Sequence, residues 1–125
     1  MEYRRLGNSG LKVSVLTLGT MTYGGRGNFA KVGSGGVAEV ARAIDLCADH
    51  GVNLIDTADI YSFGRSESIT GQAIKDLGLK RNEIVLATKV FGKMGDGVND
   101  IGLSRGHIME AVARSLERLK TDYID

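Results

Sequence analysis

Three side chains in this 125-residue chain have the types and spacing for proton chemistry: Asp56, Tyr61 and Lys89. Asp56 and Tyr61 stand in "NLIDTADIYSFG" (53–64), where an apolar run gives way to carboxylates, hydroxyls and a phenol. Lys89 stands near the end of a second apolar run, "EIVLATKV" (83–90). If both runs are neighbouring strands, Asp56 and Lys89 meet at their carboxyl ends as an ion pair. Burying such a pair is costly and is weak evidence for stability, which makes a functional role worth weighing. An ammonium beside a phenol favours phenolate and lowers the phenol pKa from about 10. Tyr61 would then act as a general acid or base, protonating a carbonyl oxygen while hydride reaches the carbon. No side chain supplies hydride, so that chemistry needs a cofactor. The same residues also fit a structural ion pair beside a surface tyrosine. Asp59 reads as a solvent-side or helix-capping carboxylate.

The elements that would position these groups alternate along the chain. "YRRLGNSGLKVSVLTLG" reads as a β-hairpin turning at Gly7–Gly10, its second part running on as a buried strand to Gly19-Thr20-Met21. Val37, Val40, Ala41, Ile44, Cys47 and Ala48 recur at helical spacing, with His50 in the last turn and Gly51 to end the helix. Cys47 lies on that apolar stripe and reads as core. "VNLIDTA" is the next strand. Ser66 is placed to cap a helix through "ESITGQAIKDL". The third strand spans 83–90. Ser104 can cap "RGHIMEAVARSLERLK", whose stripe is Ile108, Val112, Leu116 and Leu119, with His107 as a surface or capping residue. "DYID" reads as the start of a fourth strand. This alternation predicts a parallel sheet with right-handed crossovers.

Composition narrows the classes. The net charge of +1 gives no argument for nucleic acid or an anionic membrane. No apolar run reaches about 18 residues, and no signal-peptide core opens the chain, so a cytoplasmic location is expected. A single cysteine excludes an intramolecular disulfide, and the two histidines fall on separate helices, so no metal site is expected. Eighteen glycines are roughly twice the usual share of about 7%. They gather in two loops, "YGGRGNFAKVGSGG" and "FGKMGDGVNDIG", which either approach a ligand or are simply flexible.

Two architectures remain, an open nucleotide-binding sheet and part of a β/α barrel. Gly33-Ser34-Gly35-Gly36-Val37-Ala38 matches G-x-G-x-x-A, with Asp56 about 20 residues on. The match fails on context, because the buried strand ends at Gly19 rather than just before these glycines. The polar residues past each strand suit a barrel, whose chemistry lies at the carboxyl ends of its strands.

"NLIDTADIYSFGRSE", "LATKV" and "GLSRGHIMEAVARSLERLKTDYID" together resemble the aldo-keto reductases, and the resemblance covers nearly the whole chain. The branch it is most similar to is the bacterial one that also resembles potassium-channel β subunits. The resemblance implies an α/β fold, the N-terminal half of a (β/α)8 TIM barrel preceded by a β-hairpin, over residues 1–125. It implies NADPH-dependent reduction of aldehydes and ketones, with NADP as cofactor and a small carbonyl compound as substrate. Asp56, Tyr61 and Lys89 take the places of three catalytic residues; Gly19, Thr20, Met21 and Asp56 take places beside the nicotinamide and its ribose. The family's catalytic histidine follows the "DYID" motif by a few residues, beyond Asp125. A chain of this length is half of the roughly 250 residues usual for such a barrel. A fragment with little activity of its own is therefore expected, or a non-enzymatic, channel-β-like interaction protein that associates through open sheet edges.

Overall fold

The computed structural model describes every residue of the chain except Ser34, so that member of the glycine match lies outside the described residues. Strands β1 (Tyr3–Arg5) and β2 (Lys12–Ser14) pair antiparallel, with Tyr3 opposite Ser14, as the hairpin turn predicts. The expected unbroken run from β2 to Gly19 is instead divided. Asn53 intervenes: its Oδ1 accepts from Ser14 N–H at 2.7 Å, and its own N–H donates to Ser14 Oγ at 3.1 Å. Ser14 Oγ donates onward to Leu16 O at 2.6 Å. Side-chain bonds thus replace ladder bonds at Ser14, and the chain leaves one sheet for another.

The second sheet holds β3 (Thr17–Gly19), β4 (Leu54–Asp56) and β5 (Val85–Ala87), all parallel and in that order. Helices α1 (Val37–Asp49), α2 (Arg65–Asp76) and α3 (Arg105–Leu119) follow β3, β4 and β5 in turn. Each strand is shorter than its apolar run, although backbone bonds continue past the ends of β4 and β5. Thr57 N–H donates to Ala87 O at 2.8 Å and Asp59 N–H to Lys89 O at 3.1 Å.

The register sorts residues between the two faces of the sheet. Leu18, Ile55 and Leu86 stand in one row. They pack with Val40 and Ile44 of α1 and Ile69, Ala73 and Ile74 of α2. The next row, Gly19, Asp56 and Ala87, points to the other face. Helix α1 packs on α2 and α2 on α3, so the helices form one layer. Sequential strand order under a single helix layer is the arrangement of a β/α barrel; a doubly wound sheet carries helices on both faces.

Two helix expectations are corrected. Ser66 does not cap α2, which begins two residues earlier than expected, at Arg65 behind Gly64; its buried Oγ donates to Thr20 O at 2.7 Å. On α3 the buried face is His107, Ala111, Ser115 and Leu119; of the predicted stripe Leu119 is buried, Ile108 and Leu116 are half-buried one residue round from that face, and Val112 is exposed. Small residues on that face let α3 approach α2 at Gly71, where a Cβ would lie 2.6 Å from Arg118 O and Leu119 Cα. Ser104 caps α3 as predicted, its Oγ accepting from His107 N–H at 3.2 Å.

"DYID" forms no strand. It reaches β5 at Asp125, whose N–H donates to Leu86 O at 3.2 Å and whose Oδ2 accepts from Leu86 N–H at 2.9 Å. Side-chain contacts hold the segment instead: Arg81 Nη2 donates to Tyr123 O and Asp125 Oδ2 at 2.9 and 2.7 Å, and its guanidinium lies 3.7 Å over the Tyr123 ring.

Candidate active site

The carboxyl end of the parallel sheet brings Asp56, Tyr61 and Lys89 together. Asp56 is the last residue of β4 and lies between Gly19 and Ala87, which leave its carboxylate room. Lys89 follows β5 by two residues. Its Nζ donates to Asp56 Oδ1 and Oδ2 at 2.7 and 2.8 Å and to Thr57 O at 2.9 Å. Three acceptors occupy the ammonium and fix its position. It lies 5.2 Å from the centroid of the Tyr61 ring, within cation–π range. The Tyr61 ring also meets Phe29 edge-on, centroid to centroid 5.8 Å.

The expectation of a buried Asp56–Lys89 pair is corrected: the side chains are 36% and 51% exposed. A pair so open to water contributes at most about 1 kcal/mol to stability, so the cost of burial gives no argument for its function.

Tyr61 begins a short, strained turn. Ser62, Phe63 and Gly64 have φ values of 51°, 54° and 83°, a left-handed run that two non-glycine residues adopt at a cost. Ser62 repays part of it. Its buried Oγ donates to Tyr23 O at 2.9 Å and accepts from Arg26 N–H at 3.3 Å. The first glycine-rich loop therefore packs on this turn. At Gly27, with φ 59°, a Cβ would lie 2.5 Å from the Phe63 ring.

Gly19, Thr20 and Met21 stand beside Asp56. A Cβ on Gly19 would meet nothing within 4 Å, so the sheet face is open there. Thr20 is fully buried and anchored, its N–H and Oγ1 both donating to Asp56 O at 3.0 and 3.1 Å. Met21 is exposed.

Three residues that sequence reasoning left out of the site, Asp59, Glu67 and His107, form a buried polar layer beside it. Asp59 is 1% exposed, not solvent-side, because residues 55, 57 and 59 continue the alternation that faces the helices. Neither of its carboxylate oxygens has a hydrogen-bond partner among the described residues. His107 is likewise buried rather than on the surface, 7% exposed, with Nε2 unpartnered among those residues. Glu67, fully buried on α2, accepts from Thr88 Oγ1 and from Arg118 Nε, each at 2.6 Å. A sequence signal existed in the small residues Ala111 and Ser115, four and eight positions after His107, which mark a close-packed helix face. His50 stays at the surface as the cap of α1, its Nδ1 donating to Leu46 O at 2.8 Å. Cys47 is half-buried on the same helix.

Burial pushes the Asp59 carboxyl above its ordinary range. The Ile60 N–H opposes this without meeting the geometry of a formed hydrogen bond, Glu67 adds to it, and Arg118 and His107 counter it. Asp100, Glu110 and Arg114 complete the charged surroundings. A carboxyl with a raised folded pKa contributes fully below its unfolded value, near 4, and loses that contribution as pH rises through the folded one. Asp59→Asn does not ionise. The wild-type stability minus that of Asp59→Asn should therefore fall as pH rises above about 4. Urea unfolding across that range checks it, and a difference that grows with pH would refute it.

Among the described residues, no helix is long and apolar enough to cross a membrane. A parallel β/α unit with a carboxylate, lysine and tyrosine gathered past its strands defines a segment of a β/α barrel, with its polar cluster on the face where such barrels do chemistry. The chain belongs to the Aldo/keto reductase family, whose model it matches over residues 15–125. It is 47% identical to a protein named "Probable voltage-gated potassium channel subunit beta" from Arabidopsis thaliana, and 44% identical to one of the same name from Oryza sativa subsp. japonica. Each match covers 100% of this chain and 36% of the relative, so the chain spans about a third of their length. A crystal structure from Pseudomonas aeruginosa, assigned to the aldo-keto reductases, superposes with a TM-score of 0.77 at 37% identity. It matches 98% of this chain and 44% of its own.

Proposed function

We propose that this chain carries the proton-donating part of an NADP-dependent reductase that converts aldehydes and ketones to alcohols. The observation that carries the reading is the placement of Lys89, bound to both Asp56 oxygens and 5.2 Å from the Tyr61 ring centroid. In this reading Tyr61 Oη gives its proton to the carbonyl oxygen. The Lys89 ammonium offsets the negative charge left on the phenol, and Asp56 holds Lys89 in place.

The residues at the sheet end fit a nicotinamide cofactor. Gly19 leaves the sheet face open beside Asp56, whose carboxylate can accept from a ribose hydroxyl, while buried Thr20 and exposed Met21 flank the same surface. The bound cofactor supplies the hydride. Because the chain spans about a third of its curated relatives, we assign the activity to a protein of their full length. NADPH consumption with 4-nitrobenzaldehyde by the chain at that length tests the reading. No consumption above background, with the cofactor demonstrably bound, would sink it.

The names of the plant relatives favour a second reading, as a partner of a potassium channel. Co-purification of the full-length protein with such a channel, without turnover of any carbonyl compound, would favour it.

A further inference from the structure

Beside Asp59 lies a small, partly open cavity of about 20 Å³, lined by Asp59 from the β4–α2 connection and by His107 and Arg118 from α3, among others. One water needs about 10–15 Å³ of such space and two to four polar partners. The cavity meets both conditions. Asp59 and His107 are each more than nine-tenths buried, and Asp59 Oδ1, Asp59 Oδ2 and His107 Nε2 all lack partners among the described residues. Leaving three buried polar atoms unpaired is expensive, which is why native interiors place ordered water among such atoms. Arg118 is already engaged with Glu67 through Nε and with Ser115 through Nη2, and Arg114 with Glu110.

We propose that this cavity binds a single water molecule joining the Asp59 carboxyl to His107 Nε2, and that the bridge latches the segment carrying Tyr61 onto α3. Asp59 lies two residues before Tyr61, and its own N–H is fixed to Lys89 O at 3.1 Å. It is thus tied on one side to the lysine strand and, through the water, to α3 on the other. Asp59 and His107 are positioning residues in this arrangement; neither touches the open sheet face.

Amide hydrogen exchange on the 125-residue chain tests the latch. The reporters are Tyr61 N–H, which donates to Ala58 O, and Phe63 N–H, which donates to Ile60 O. Asp59→Ala should speed their exchange by about ten-fold or more relative to the α1 amides, which report global opening. His107→Leu, on a different element, should do the same, and the double variant should add little to either. Asp59→Asn keeps a donor and an acceptor and should restore protection. Unchanged exchange in Asp59→Ala, effects that multiply in the double variant, or failure of Asn to rescue would each overturn the proposal. If Asp59→Ala does not fold, the wild-type protein decides by NMR: a nuclear Overhauser contact between the His107 ring and a long-lived water supports the bridge, and its absence overturns it. The latch bears on proton transfer only if the reductase reading holds. No readout here needs NADPH or turnover, so the two fail separately.

Discussion

Tyr61→Phe in the full-length protein should lower kcat for carbonyl reduction by about 10²–10⁴-fold, the usual contribution of a positioned general acid. Substrate KM should change little. The ring that meets Phe29 edge-on and faces Lys89 is retained, and only the hydroxyl is lost. The Asp56–Lys89 pair needs nothing from that hydroxyl, since its bonds run to carboxylate oxygens and to Thr57 O. The variant should therefore fold and bind cofactor as the wild type does. Steady-state kinetics beside a cofactor titration separates the outcomes. Equal kcat values would remove Tyr61 from the chemistry, whereas a rise in KM alone would make the phenol a binding group.

Arg118→Ala should cost about 3–5 kcal/mol of folding stability, because it strands a buried charge. Glu67 is fully buried, and Arg118 Nε is its charged partner at 2.6 Å; Thr88 Oγ1 alone would remain. Arg114→Ala is the control. Its pairing with Glu110 is exposed on both sides, where loss costs at most about 1 kcal/mol. Urea unfolding of the two variants measures the contrast. Similar small losses in both would show that Glu67 does not hold a charge needing Arg118.

The alternation of strands and helices was legible because apolar periodicity reports it directly: Val40 and Ile44 on α1, Ile55 on β4 and Leu86 on β5 all reach the core. Asp56, Tyr61 and Lys89 were legible for another reason. Each stands just past an apolar run, and parallel neighbours bring such positions together. The break between β2 and β3 was not, because Asn53, nearly forty residues away, causes it. Asp59, Glu67 and His107 were misread or missed because polarity was taken as exposure. Each is polar yet buried, and burial of that kind follows from the approach of two helices, which no local window contains. The left-handed turn was half legible. Gly64 suits a positive φ, while Ser62 and Phe63 give no such sign.

Gly71 makes the polar layer beside the site a matter of volume. Because α2 touches the backbone of α3 there, one added carbon must push the helices apart. One of the contacts is Arg118 O, on the residue that holds Glu67, so the disturbance reaches the buried charge pair directly. A saturation scan along α2 should then rank substitutions at position 71 by size, with serine and alanine alike harmful and polarity of little account. A polar residue tolerated there as well as glycine would contradict this. The electrostatics beside Tyr61 are set, in that sense, by a side chain that is a single hydrogen atom.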